Sequence, residues 1–144
     1  MKSEPRGVKQ VDRQKPRDIR ERSFQFALRV VGLYQHLERQ GGAGRIIGAQ
    51  LLRSATSVGA SVEEARTGSS RKEYVYRFDL AQRQAKESLY WLRLLAESGV
   101  VPAGGLHGLI TEADELIAII TTICVRTKRT LKAAATAEAG DSCT

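Results

Sequence analysis

Gln50–Arg66 reads QLLRSATSVGASVEEAR, and its spacing decides the fold. Ile47, Leu51, Ala55, Val58, Val62 and Ala65 recur in steps of three and four, the period of a helix. Between them lie Ser54, Ser57, Gly59, Ala60 and Ser61, small enough to let a neighbouring helix approach closely. Gly59 in a helix interior costs about 1 kcal/mol relative to Ala, and close packing is the natural reason to have it. Arg53 and Glu64 stand roughly 16 Å apart along such a helix. Each therefore needs a partner elsewhere, or water.

The pattern extends in both directions. Residues 1–17 are charged and mixed, with Pro5 and Pro16, and read as a flexible basic arm. A first helix is expected over about 18–40, with Phe24, Ala27, Val30, Val31, Tyr34 and Leu37 along one side. Gly41, Gly42 and Gly44 punctuate its end. The second helix covers about 45–67. Ser70 followed by Glu73 is a capping-box signature, so a third helix opens there and runs to about 98. The fourth covers about 103–130, with Leu109, Ile110, Ala113, Leu116, Ile117, Ile120, Ile123 and Cys124 on its apolar side. From 131 to 144 the composition shifts to Ala, Thr, Glu, Gly and Ser, and a disordered tail is expected. Four helices with short connections give an all-α, antiparallel up-down-up-down four-helix bundle, a single domain over 18–130.

The third helix carries three faces. Tyr74, Phe78, Ala81, Ala85, Leu89, Leu92 and Ala96 form the expected core side. Lys72, Tyr76, Arg83, Lys86, Tyr90 and Arg93 lie opposite, interleaved with Asp79 and Glu97. This stripe offers cations for phosphates and rings for stacking, the chemistry of nucleic-acid backbone binding. A solvated helix face would show the same pattern. Leu80, Trp91 and Leu94 form a second, narrower apolar row. It reads as a subunit interface, or as a widened core stripe. The hairpin about Gly68 brings Arg53 near Glu87 and Glu64 near Arg71 or Lys72. The pairs Arg53–Glu87 and Glu64–Arg71 follow as an expected polar network. If the first is buried, Arg53→Ala costs about 3 to 5 kcal/mol.

The run QLLRSATSVGASVEEA, followed by SSRKEYVYRFDLAQRQAKESLYWLRLL, resembles the four helix bundle protein family, also called 23S ribosomal RNA intervening-sequence proteins. That family is distantly similar to the accessory variability proteins of diversity-generating retroelements. The resemblance spans about 23–130. Its features are Gln-Leu-x-Arg-Ser, the following Glu-Glu, Ser-Arg-x-x-Tyr and Glu-x-x-Tyr-Trp-Leu. The family often has Asn where this chain has Ser61. The resemblance implies a homopentameric ring and an association with nucleic acid or with a protein partner such as a reverse transcriptase.

The net charge of +7 and pI near 9.8 favour an anionic partner. Much of the excess lies early: the first 22 residues hold eight Lys/Arg against four Asp/Glu. Cys124 and Cys143 have no ligand-like spacing with each other or with His36 and His107, so neither a metal site nor a disulfide framework is expected. No strand precedes the glycine clusters, and no Glu-x-x-His pair occurs, which argues against a phosphate loop and a ferritin-like metal centre. No cofactor and no catalysis are expected. The most apolar run, 116–125, is too short and too threonine-rich to span a bilayer. A cytoplasmic, non-enzymatic oligomer that binds RNA or DNA is the expectation. A protein-interaction scaffold without nucleic-acid affinity is the alternative.

Overall fold

The computed structural model describes residues 18–141. The expected arm, 1–17, and residues 142–144 lie outside the described residues. Four helices make up the rest: α1 (Ile19–Gln40), α2 (Gly42–Thr67), α3 (Arg71–Glu97) and α4 (Ala103–Asp141). They pack as a four-helix bundle. Neighbours are α1 with α2, α2 with α3 and α3 with α4, and α4 returns to touch α1 more sparingly. No strand occurs among the described residues.

Local chemistry sets the helix ends. The Asp18 carboxylate accepts from the Arg20 N–H at 3.2 Å and caps α1. Gly41 and Gly42 have φ of 71° and 65°, a left-handed pair that only glycine adopts without strain. The chain therefore turns in one residue, and α2 begins at Gly42, three residues before the expected start. At α3, Ser70 Oγ accepts from the Glu73 N–H at 3.1 Å. The Glu73 carboxylate takes the Ser69 N–H at 3.2 Å. This is the anticipated capping box displaced by one residue on its return bond.

The core is apolar and close-packed. Its fully enclosed members include Phe26, Val30 and Leu37 from α1, Leu51, Val58 and Val62 from α2, Leu92 and Leu95 from α3, and Leu116 and Ile120 from α4. Two phases differ from the expectation. In α1 the inward aromatic is Phe26, while Phe24 is 59% exposed. The buried row runs Ser23, Phe26, Val30, Leu37, and two residues of offset turn Phe24 about 200° away from Phe26. In α3 the buried row is Val75, Phe78, Ala81, Ala85, Ser88, Leu92 and Leu95. Tyr74, Leu89 and Ala96 flank it, half-buried.

Small residues do set helix separations, but Gly59 is not the critical one. A Cβ there would lie 3.6 Å from the Ser23 carbonyl oxygen, an ordinary contact. The tight positions are Gly48, where a Cβ would come within 2.9 Å of Leu37, and Gly44, within 2.7 Å of Val100. Gly59→Ala is therefore expected to stabilise the fold by about 0.5 to 1 kcal/mol, because it removes helix-interior glycine without a clash. A chemical denaturation midpoint below that of the parent would refute this.

The fourth helix also corrects an expectation. It continues to Asp141, eleven residues past the anticipated end at Thr130. Ala133, Ala134, Ala135, Ala137 and Ala139 are strong helix formers, and no proline intervenes. The low-complexity look of this segment is helix propensity rather than a lack of structure.

Candidate nucleic-acid interface

The six residues of the expected stripe, Lys72, Tyr76, Arg83, Lys86, Tyr90 and Arg93, are all exposed on α3. Tyr76 is 54% and Tyr90 58% exposed, large for aromatic side chains. The Tyr90 ring meets Trp91 edge-on, with centroids 4.9 Å apart. The Arg77 guanidinium sits 5.6 Å from the Tyr76 ring centre. From Lys72 to Arg93 the stripe runs roughly 31 Å along the helix axis.

The two acids that interrupt the stripe have partners. Asp79 is half-buried and binds Lys128 of α4 at 2.9 Å. That hydrogen bond raises the Lys128 pKa above its ordinary value. Glu97 lies 3.4 Å from Arg93, an exposed contact one helical turn away. Such a surface pair contributes little and exchanges readily for water or another anion. No ion pair to Lys72, Arg83 or Lys86 occurs among the described residues, and α3 therefore presents a net positive outer face.

Leu80, Trp91 and Leu94 are half-buried, and Trp91 packs against the core cluster. Its Nε1–H is buried without a partner, as are Gln84 Oε1 and Arg77 Nε. These three residues stand seven apart on one row of α3. The larger exposed apolar side chains lie elsewhere: Phe24 and Leu28 on α1 and Ile46 on α2. Phe24 borders a cavity of about 320 Å³ between α1 and α2, floored by Ala27, Gly59 and Ala60.

The polar network forms in part as expected. Arg53 Nη2 donates to Glu87 Oε1 at 2.7 Å. Arg53 is 54% exposed, however, so the pair belongs to the surface. Arg53→Ala is accordingly expected to cost less than about 1 kcal/mol. A loss of 3 kcal/mol or more in thermal denaturation would contradict that. Glu64 pairs with Arg77 at 2.7 Å, not with Arg71 or Lys72. The reason is register: Arg77 also reaches Glu73, one turn back, at 3.8 Å, and lies between the two carboxylates. Arg71 is left exposed at the helix start.

Sequence reasoning missed the strongest ionic group. Arg22 of α1 donates through Nε and Nη2 to Glu112 of α4, both at 3.0 Å, and its Nη2 also reaches Glu115. Arg22 is only 18% and Glu112 21% exposed. The Glu112 hydrogen bonds hold the Arg22 pKa above its usual value despite burial. The sequence places each residue singly, since Arg22 precedes Phe26 and Glu112 precedes Leu116 by one turn, but nothing local pairs the two.

No group of three or more His, Cys, Asp or Glu suited to a metal ion occurs among the described residues. Cys124 is buried, and burial, followed by the nearby Asp79, pushes its thiol pKa up. None of the described helices is long and apolar enough to cross a membrane.

Against known families, residues 15–122 match the 23S rRNA-intervening sequence protein family. The chain belongs to that family. A solved relative is a protein with unknown function from the S23 ribosomal protein family of Bacteroides thetaiotaomicron. It is 28% identical, with a TM-score of 0.69 over 74% of this chain and 98% of that one. No curated protein matches. The family match thus includes the α3 stripe from Lys72 to Arg93 and stops before the last turns of α4.

Proposed function

We propose that this chain is a non-enzymatic, oligomeric bundle that binds the backbone of RNA or DNA through the outer face of α3. The helices alternate in direction, up-down-up-down, and the setting is the cytoplasm. The observation that supports this most is the solvent-facing stripe Lys72, Tyr76, Arg83, Lys86, Tyr90, Arg93, with its interrupting acids engaged by Lys128 and Arg93. Cations on such a face neutralise phosphates, and tyrosine rings stack on bases without demanding a sequence. Membership of a family described by a ribosomal RNA insertion is consistent with this. Repetition around a homo-oligomer, with five copies as the expected number, would multiply a weak contact.

Fluorescence anisotropy with a labelled single strand tests it. If Arg83, Lys86 and Arg93 each neutralise one phosphate, affinity should fall roughly twenty-fold between 50 and 200 mM salt. The double variant Arg83→Ala, Lys86→Ala should flatten that slope. Affinity indifferent to both salt and the double variant would sink the reading.

A protein-interaction scaffold is the second reading, with the partner a second protein such as a reverse transcriptase. The exposed Phe24–Leu28 pair beside the Gly59–Ala60 groove favours it, because apolar side chains grouped at a groove suit a protein surface. Leu80, Trp91 and Leu94 serve the contact between copies in either reading. Light scattering on a sizing column separates the cases. A multimer free of nucleic acid and without affinity for it would put the scaffold ahead.

A further inference from the structure

An open cleft of about 710 Å³ lies where α1 begins and α2 passes into α3. This volume is within the range of small-ligand sites. Its wall is mixed, with Val62, Phe78 and Ile123 on an apolar side that Tyr74 joins, and Ser69 and Ser70 on a polar one. Tyr74 is half-buried and braced by Phe78, with ring centres 4.8 Å apart. Arg66 and Arg71 also line it. The one acid in the lining, Asp18, is 3.4 Å from Arg66 in an exposed pair.

We infer that this cleft seats one unstacked nucleotide of a single strand, its base against Tyr74 and its phosphate between Arg66 and Arg71. The inference rests on the nucleic-acid reading and names where the strand's end is held. Arg71 is the first residue of α3, where the helix dipole disfavours a cation. No ion pair to it occurs among the described residues. A bound phosphate would supply the missing counter-charge. Two amides of this turn, those of Glu73 and Ser69, are already held by Ser70 Oγ and the Glu73 carboxylate. Both guanidinia, by contrast, are exposed. Lys72, the next residue, opens the α3 stripe on the face opposite Tyr74, so a strand following that stripe reaches the cleft by rounding the start of α3. Bases in a duplex are stacked and paired, and cannot enter without being flipped out. The cleft therefore selects unpaired nucleotides, whereas the stripe does not.

The test uses the full chain and a short oligouridylate carrying one 4-thiouridine, photo-crosslinked and mapped by mass spectrometry. Adducts at Tyr74 are expected. Tyr74→Ala should weaken single-strand binding about tenfold and leave a blunt duplex within twofold. Arg71→Ala, at an exposed site that does not threaten folding, should weaken the single strand selectively too. Adducts confined to Tyr76 or Tyr90, with both variants binding like the parent, would overturn the cleft while leaving the stripe intact. Failure of every strand to bind would overturn both. Loss of single-strand and duplex binding together in Tyr74→Ala, with Arg71→Ala unaffected, would mark a folding defect and also count against the cleft.

Discussion

Arg22→Ala is expected to lower the unfolding free energy by about 3 kcal/mol, the low end for breaking a buried ion pair. The side chain bonds Glu112 twice and Glu115 once, across the sparsest seam of the bundle. Removing it leaves Glu112 mostly enclosed beside α1 with no cation to meet it. Glu115 is more than half exposed and can turn to water, which keeps the loss from the top of the range. The expected fall in melting temperature is about 10 °C for a domain of this size. Glu112→Gln, which retains acceptors without the charge, should lose less. The paired change Arg22→Met with Glu112→Leu should recover much of the stability, because two apolar chains of similar size avoid the desolvation of two ions. A single variant that melts within 2 °C of the parent would show that water already hydrates this seam.

Ser88→Leu is expected to be comparably damaging, for the opposite reason. Ser88 has no exposed surface, and neither does Ser54 opposite it. Their hydroxyls are 2.8 Å apart. Each also lies within reach of a carbonyl of its own helix, Ser54 Oγ of Leu51 and Ser88 Oγ of Gln84, so one hydroxyl donates to the other and the second donates to its own carbonyl. With Ala55, Ala81 and Ala85 nearby in the buried rows, the seam between α2 and α3 is built of small side chains. A leucine has no room there, and overpacking of a filled core costs about 1 to 3 kcal/mol, with the top of that range expected here. Ser88→Ala keeps the space and loses one hydrogen bond, about 1 kcal/mol. Denaturant titration of the pair distinguishes size from polarity. If alanine proves as harmful as leucine, the hydroxyl contact rather than the spacing holds the seam.

The parts of this fold that were legible in the sequence are those carried by local chemistry. The α2 period set Ile47, Leu51, Ala55, Val58, Val62 and Ala65 on one side, and all are buried except Ile47, which is half-buried. The Ser70–Glu73 spacing located the start of α3. The stripe on α3 could be phased because six polar residues had to share the face opposite Phe78, Ala81, Ala85 and Leu92. What was not legible depends on partners distant in the chain. Phe24 and Phe26 are the same residue type two positions apart, and only packing against α2 and α4 selects the second. Glu64 chooses Arg77 over Arg71 by helix register, which hairpin arithmetic resolves only to within a turn. Arg22 and Glu112 are ninety residues apart, and no local pattern links them. The cleft at the start of α3 is assembled from all four helices and had no linear signature.

The overhang of α4 has a consequence of its own. From Ala135 to Gly140 every residue is exposed, and a stretch this short would rarely be helical if detached, because starting a helix is far harder than lengthening one. Its turns propagate from the packed part of α4 and inherit their nucleus from the bundle. Order in this segment is therefore slaved to the core: it can form only after α4 docks, and a break in the backbone hydrogen-bond ladder near Thr130 would uncouple it while leaving the packed helices in place.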